Sequence, residues 1–223
     1  MKPLIALLIL LTCAAQASEK VWLLGTGIYH GDEVKAPPGS YWGLFPGRSG
    51  TDLRECRVRI SLAHDPIVDS KPTEKTGRAI KIDREGEPLL LLRGVSLRPG
   101  PVSTTFCGEL RMAPEMRLVQ KLEGREYVLE ARADSVKDGV CTNYRLTLTY
   151  QDKTREVLRV PRCDATDVPR ILWAGDLDRD GRLDLFLDAS SHYNLSRRTL
   201  FLSSKARAGR LLEKVADFEN VGC

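Results

Sequence analysis

The sequence predicts a mainly β protein in which antiparallel sheets form a sandwich or a barrel, with few or no helices after an N-terminal targeting segment. Short segments with an apolar residue at every second position recur along the chain. Most of the 18 glycines and 12 prolines fall between these segments, where turns require them. No apolar pattern of helical period continues for three turns. No repeat of about 20–50 residues occurs, which disfavours a propeller or a solenoid.

Composition and charge are those of an ordinary globular chain. Of the 223 residues, 42% are hydrophobic, and 34 Lys and Arg nearly balance 30 Asp and Glu, so the net charge is +4. These values exclude a collagen-like chain, a wholly disordered chain and a protein with several membrane spans. Basic residues at 197–198 and 205–210 are not interleaved with aromatic residues. We therefore expect no nucleic-acid partner.

Residues 1–17 have the three parts of a secretory signal peptide. Lys2 supplies a positive charge, Leu4–Leu11 is an unbroken apolar run, and the small residues Ala15 and Ala17 form a cleavage site. The apolar run is too short for a membrane-spanning helix, which needs about 20 residues. Cleavage is therefore expected after Ala17.

The targeting segment allows two forms of export. In the first, residues 18–223 form a soluble, single mainly β domain. In the alternative, Leu10–Cys13 resembles a bacterial lipobox, and Cys13 carries a lipid anchor. No other apolar run is long enough to span a membrane, so no transmembrane segment is expected. Both forms place the chain in the periplasm or outside the cell, where disulfides persist.

Five segments predict strands in the N-terminal half of the exported chain. The third of them alternates strictly, with Cys56, Val58, Ile60 and Leu62 on one face and polar residues on the other. The five segments are Val21–Leu24, Ile28–Tyr29, Arg54–Leu62, Ala79–Asp83 and Leu89–Arg93.

Two stretches between these strands predict loops. Val34–Gly50 is rich in proline and glycine and also carries Tyr41 and Trp42. It is either a functional surface loop with exposed aromatic side chains or a segment whose aromatics cover the end of the barrel. Asp65–Gly77 contains many charges and two prolines, which is typical of a solvated loop.

Two hairpins and two further segments follow in the C-terminal half. The hairpins are Leu118–Leu122 with Tyr127–Ala131, and Tyr144–Tyr150 with Arg155–Val160. Thr199–Leu202 predicts a strand. Leu211–Phe218 predicts either a strand or a short helix, since some of its apolar residues share a helical face.

Cysteine usage agrees with an oxidising compartment. After removal of the signal peptide, five cysteines remain: Cys56, Cys107, Cys141, Cys163 and Cys223. No two of them have the CxxC spacing of a zinc site. Cys141 and Cys163 flank the second hairpin, so we favour a disulfide between them. Cys223 is expected to tie the chain end to Cys56 or Cys107, which leaves one cysteine unpaired.

One motif carries recognisable chemistry. Asp176, Asp178, Asp180 and Asp184 occupy positions 1, 3, 5 and 9 of a loop, with a glycine at position 6. Ca²⁺ takes six to eight hard oxygen ligands, and alternating aspartates direct their carboxylates toward one centre as the loop curls. The carbonyl of Arg182 supplies a further predicted ligand. Four carboxylates this close repel one another without a cation, which favours a calcium site over a solvated turn.

The motif resembles two kinds of calcium loop. Its first half matches an EF-hand loop, but Leu187 stands where that loop needs a carboxylate, and no helix follows. Strand-like residues on both sides make a hairpin at 172–188. This strand–loop–strand form resembles the Asp-x-Asp-x-Asp-Gly-x-x-Asp loop of FG-GAP/VCBS repeats, over about 14 residues, Ala174–Leu187. The resemblance implies the same five ligands. It does not imply a propeller, because only one copy occurs.

No catalytic residues stand out. The three histidines, His30, His64 and His192, accompany no Gly-x-Ser-x-Gly sequence. The leading hypothesis is a non-catalytic exported protein with one structural calcium ion. It acts on an unknown protein or glycan at the cell envelope, through a surface around Tyr41 and Trp42 or around His192 and Tyr193. The alternatives are a secreted or periplasmic hydrolase whose site forms only in three dimensions, and a periplasmic inhibitor of a foreign enzyme.

Overall fold

The computed structural model describes residues 20–48 and 50–222. The expected signal peptide 1–17, the alternative lipid anchor at Cys13 and the expected pairing of Cys223 lie outside these residues. All regular secondary structure in the described ranges is β-strand, and every strand pair is antiparallel, which confirms the predicted mainly β class. No helix in these ranges is long and apolar enough to cross a membrane.

Sixteen strands make up the described fold. The first eight are β1 (Trp22–Leu24), β2 (Gly27–Tyr29), β3 (Gly39–Gly47), β4 (Gly50–Ala63), β5 (Gly77–Ile82), β6 (Leu90–Arg93), β7 (Gly100–Arg111) and β8 (Arg117–Leu122). The other eight are β9 (Arg125–Arg132), β10 (Ser135–Lys137), β11 (Val140–Tyr150), β12 (Lys153–Asp164), β13 (Arg170–Asp176), β14 (Asp184–Asp188), β15 (Leu195–Leu202) and β16 (Glu213–Val221).

The strands form two sheets that together make a nearly closed barrel or sandwich. The larger sheet has eleven strands in the order β1-β6-β3-β4-β7-β13-β14-β15-β16, with β5 paired to β4 and β2 paired to β5. The smaller sheet has five strands in the order β10-β11-β9-β8, with β12 also paired to β11. Strand β7 joins the N-terminal part of the larger sheet to its C-terminal part.

Strands β13 and β14 and the second half of β15 are buried on both faces. Along β14, Leu185 and Leu187 pack into a core shared with the smaller sheet, whereas Phe186 packs into a core shared with the N-terminal strands. Trp173 of β13 joins Phe186 in the N-terminal core. A strand with cores on both sides is continuously apolar, which explains the run Leu185–Leu187. The hairpin that carries the aspartates is thus anchored at the centre of the molecule.

The disulfide between Cys141 and Cys163 is confirmed. The two cysteines are directly opposite each other in the β11–β12 ladder, with their Cα atoms 5.2 Å apart. The second predicted hairpin is therefore longer than expected. At its open end it continues beyond Tyr144 and Val160 to Cys141 and Cys163. A disulfide is typical of an oxidising compartment.

The structure differs from the predicted elements in several places. The stretch expected as a loop at Val34–Gly50 contains β3, which pairs with both β4 and β6. Tyr41 in this strand is only 1% exposed, so it belongs to the core rather than to an exposed aromatic surface. Strand β7 was not predicted.

Two other segments deviate from the predicted pattern. Leu211–Phe218 leads into strand β16 and is not helical. Leu62 is 60% exposed although Cys56 and Val58, on the same predicted face, are buried. The end of β4 pairs with β5 beyond the edge of the core. Apolar and polar residues still alternate there, but the apolar ones are no longer buried.

Candidate metal centre

The aspartate loop connects β13 to β14, as the sequence predicts. Asp176 is the last residue of β13 and Asp184 is the first residue of β14. Both are buried, with exposed fractions of 3% and 0%. Gly181 lies between them with φ at +77°, in the left-handed region that favours glycine. The tight turn therefore directs carboxylates from both strand ends into one interior position.

Three carboxylates converge at this position. One oxygen atom each from Asp176, Asp178 and Asp184 lies within 4.8 Å of the other two. This is close enough for a single cation to contact all three. The cluster could hold a metal ion, and its all-oxygen donor set favours a hard cation.

Backbone amides orient the two buried carboxylates. Asp176 accepts hydrogen bonds from the amides of Asp180 and Gly181, at 3.0 and 2.9 Å. Asp184 accepts one from the amide of Leu177 at 2.8 Å. It also accepts two from Ser203, through the amide at 2.8 Å and the hydroxyl at 2.9 Å. Ser203 follows β15, so Asp184 connects three neighbouring strands.

Asp178 contributes the third carboxylate and leaves one oxygen without a donor. Its Oδ2 accepts a hydrogen bond from the hydroxyl of Ser204. Its Oδ1 is buried and has no hydrogen-bond partner among the described residues. A buried carboxylate oxygen without a donor is costly, and a bound cation would satisfy it. This unsatisfied oxygen indicates that the cluster fits a cation.

The pKa values of the two buried aspartates also favour a bound cation. Burial raises the pKa of Asp184 well above its usual range, and the neighbouring Asp178 carboxylate raises it further. Burial also raises the pKa of Asp176, although two backbone amides partly offset the effect. Both shifts show that negative charge is unfavourable here without a counter-ion. A divalent cation would reverse this, since it favours the ionised form of each ligand.

Comparison of the chain with protein-family models, with curated proteins and with solved structures finds no match. The role of the centre is therefore inferred from its geometry and chemistry.

One predicted ligand, Asp180, lies beside the cluster. The Asp180 carboxylate forms an ion pair with the Arg182 guanidinium at 2.8 Å, and its two oxygens lie 3.0 and 3.1 Å from the Ser203 hydroxyl oxygen. Because the same hydroxyl also contacts Asp184, Asp180 is only one side chain away from the cluster. Ligation by Asp180 and by the Arg182 carbonyl stays a prediction.

The spacing of residues in the aspartate loop could not identify Ser203 and Ser204 as hydrogen-bond partners of its carboxylates. Ser203 lies 19 residues beyond Asp184, and Ser204 lies 26 residues beyond Asp178. Only the pairing of β14 with β15 brings these serines to the loop. No local pattern in the sequence reports this contact.

The loop is also tied to the larger sheet. Arg179 has φ at +62°, and its guanidinium donates hydrogen bonds to the carbonyls of Pro99 and Pro101, at 3.0 and 3.2 Å. Arg125 of β9 donates a further hydrogen bond to the carbonyl of Gly181. Both sheets therefore help to position the loop.

The surface predicted around His192 and Tyr193 is accessible. Tyr193 is 74% exposed, and its ring centre lies 4.5 Å from that of His192. The His192 ring is 2.6 Å from the side-chain oxygen of Asn194. These three residues form a small polar turn between β14 and β15.

A His–Asp pair is the titratable contact that best fits the hydrolase alternative. His30 Nδ1 lies 2.6 Å from the buried carboxylate of Asp65, and this hydrogen bond raises the pKa of His30. The adjoining cavity is only about 60 Å³, much smaller than an ordinary substrate site. Asp65 also accepts hydrogen bonds from the amides of Ile67 and Val68. The pair therefore holds the 65–77 loop against the strands.

Proposed function

We propose that this chain is an exported calcium-binding β protein whose ion is structural and whose role is non-catalytic binding of a protein or glycan. The observation that carries the proposal is the convergence of three carboxylates within 4.8 Å, one of them with a buried oxygen that no donor satisfies. The centre lies at the end of a hairpin buried on both faces. An ion there would stabilise the hairpin and the attached loop.

Calcium is the cation that best suits this donor set. The ligands are hard oxygens on a curled loop, and Ca²⁺ accepts such irregular cages, whereas Mg²⁺ demands near-octahedral geometry and retains water. The resemblance to FG-GAP/VCBS loops supports the same choice. In the proposed bound state, Asp180 turns from Arg182 toward the ion, and the Arg182 carbonyl completes the loop ligands.

The proposed location is the periplasm or the exterior of the cell. The Cys141–Cys163 disulfide supports an oxidising compartment, and the expected signal peptide at residues 1–17 supports export. At about 1 mM calcium, a site with a Kd on the order of 10⁻⁴–10⁻³ M would add about 1 kcal/mol to the free energy of unfolding.

Thermal unfolding tests the proposal. For a chain of this size, about 1 kcal/mol corresponds to a rise in Tm of roughly 2–4 °C. We expect this rise when 1 mM Ca²⁺ replaces EGTA, a smaller rise with Mg²⁺, and none in Asp178→Asn. Asp152→Asn is the matched control, since Asp152 is exposed in the turn between β11 and β12. Equal calcium effects in Asp178→Asn and wild type, or no effect in wild type, would contradict the proposal.

A further inference from the structure

A cavity of about 270 Å³ lies beside the metal loop, between the smaller sheet and the hairpin. Its walls come from β9, β11 and β12, from the loop residues Arg182 and Leu183, and from the segment after β15. The volume is just below the usual range of small-molecule sites, about 300–1,000 Å³, and suits one ring-sized unit.

The inner part of the cavity is aromatic and apolar. The rings of Tyr127 and Tyr150 stack with centres 4.7 Å apart and planes 16° from parallel. Leu148 and Leu183 beside them are each only 1% exposed. Of these four side chains only Tyr150 is partly exposed, and its ring can contact the flat C–H face of a ring-shaped ligand through dispersion.

The hydroxyl of Tyr127 is a buried polar group without a partner. Tyr127 is 3% exposed, and its hydroxyl forms no hydrogen bond of acceptable geometry within the described part of the chain, although the Leu183 backbone and the Arg125 side chain are near it. A buried tyrosine hydroxyl ordinarily has a partner. The hydroxyl oxygen is itself buried, so it faces the protein interior and a ligand in the cavity cannot reach it.

The rim of the cavity is strongly basic. The side chains of Lys153, Arg155, Arg182 and Arg210 line it, and no carboxylate side chain does so in the described ranges. Arg182 pairs with Asp180, and Arg210 lies 3.3 Å from Glu213. Lys153 forms no ion pair within the described structure, and Arg155 bonds only to backbone carbonyls. The rim therefore has positive charge available for an anion.

We propose that this cavity binds an acidic sugar unit, one ring of a glycan that bears a carboxylate. The partly exposed Tyr150 ring contacts the C–H face of the sugar, and the exposed Lys153 and Arg155 pair with its carboxylate. The inference rests on the proposed function, since it specifies the partner of a binding protein. It adds the partner's chemistry and the residues that recognise it.

The cavity and the metal loop share residues, so their ligands are coupled. Arg182 and Leu183 belong to the loop, and Ser203 both lines the cavity and contacts Asp184. If Asp180 turns toward a bound ion, the Arg182 guanidinium is released to the cavity rim. Calcium should therefore raise the affinity for the acidic sugar, and the sugar should raise the affinity for calcium equally.

Titration calorimetry on the whole exported chain tests the proposal. The probes are digalacturonate, its neutral counterpart α-1,4-galactobiose, and benzoate, which has a carboxylate on a flat ring without hydroxyls. We expect binding of digalacturonate, stronger in calcium than in EGTA, and no binding of the neutral disaccharide. Lys153→Ala should weaken binding about tenfold, and Tyr150→Leu, which removes the ring that contacts the sugar, about threefold to tenfold. Lys121→Ala, at an exposed position of β8, is the charge-matched control and should bind normally.

The outcomes separate this inference from the proposed calcium role. If calcium raises Tm but digalacturonate does not bind, the sugar site is wrong and the calcium site stands. If digalacturonate binds but calcium has no effect on Tm or affinity, the cavity assignment stands and the calcium role is wrong. Benzoate binding as tight as that of digalacturonate, or equal loss in Lys121→Ala and Lys153→Ala, would overturn the sugar assignment. Melting curves of each variant verify that it is folded.

Discussion

Removal of the Tyr127 hydroxyl gives a direct measure of whether that buried group has a hydrogen-bond partner in the folded chain. Tyr127→Phe keeps the ring, its stacking on Tyr150 and the surrounding contacts, and deletes only an oxygen that has no hydrogen-bond partner among the described residues. In the folded protein this oxygen has lost its water without compensation. Deleting it should therefore leave the free energy of unfolding unchanged or raise it by up to about 1–3 kcal/mol.

Tyr144→Phe is the matched control, because Tyr144 is also buried in the same core. Its hydroxyl donates a hydrogen bond of 2.8 Å to the backbone carbonyl of Met112. Deleting this hydroxyl leaves the carbonyl without its donor. The expected loss is about 1 kcal/mol, which corresponds to a fall in Tm of roughly 2–4 °C.

The assay is urea unfolding of wild type and both variants, followed by tryptophan fluorescence in EGTA and without sugar. Two chemically identical substitutions should therefore differ in effect: Tyr127→Phe should not lower the free energy of unfolding, whereas Tyr144→Phe should lower it. If Tyr127→Phe costs as much as Tyr144→Phe, the Tyr127 hydroxyl already has a partner in the folded chain.

Two further predictions concern the disulfide and the His–Asp pair. Replacing Cys141 and Cys163 together with alanine removes a cross-link of sequence separation 22 and should lower the free energy of unfolding by about 3 kcal/mol, as measured by urea unfolding. The hydrogen bond with Asp65 raises the pKa of His30 and lowers that of Asp65. The pair's stabilisation should therefore be greatest between about pH 4 and 6.5 and decline at higher pH, as His30 loses its proton. The Tm advantage of wild type over His30→Gln, followed from pH 5 to 9, measures it.

Each of these predictions has a clear contrary result. Equal urea midpoints for the double alanine variant and the oxidised wild type would show that the disulfide does not restrict the unfolded chain. A Tm difference between wild type and His30→Gln that stays constant from pH 5 to 9 would show that protonation of His30 does not contribute to stability.

Most strands could be predicted from the sequence because their signal is local. Segments such as Arg54–Leu62 and Tyr144–Tyr150 bury one face, so apolar and polar residues alternate. Strand β3 was not predicted because its prolines and glycines are typical of loops. Its pairing with β4 and β6 outweighed that preference, since strand propensity depends strongly on tertiary context.

Part of the candidate site could also be predicted, because its signal is local in the sequence. The carboxylates of Asp176, Asp178 and Asp184 come from one short loop, so their spacing alone predicts that they converge. Ser203 could not be predicted, because it reaches Asp184 through the pairing of β14 with β15. The basic cavity combines residues from segments that are distant in the sequence, so residue spacing could not predict it either.

The sequence by itself determined the mainly β class, the hairpin that ends in Cys141 and Cys163, and the acidic loop between two strands. Each of these depends on residues near one another in the chain, where alternation, turn residues and ligand spacing act directly. Only the tertiary structure decided which strands are buried on both faces, which carboxylate oxygen has no donor and where basic side chains surround stacked tyrosines. These features depend on contacts between distant segments, whose free energy arises from packing and burial that no local pattern encodes.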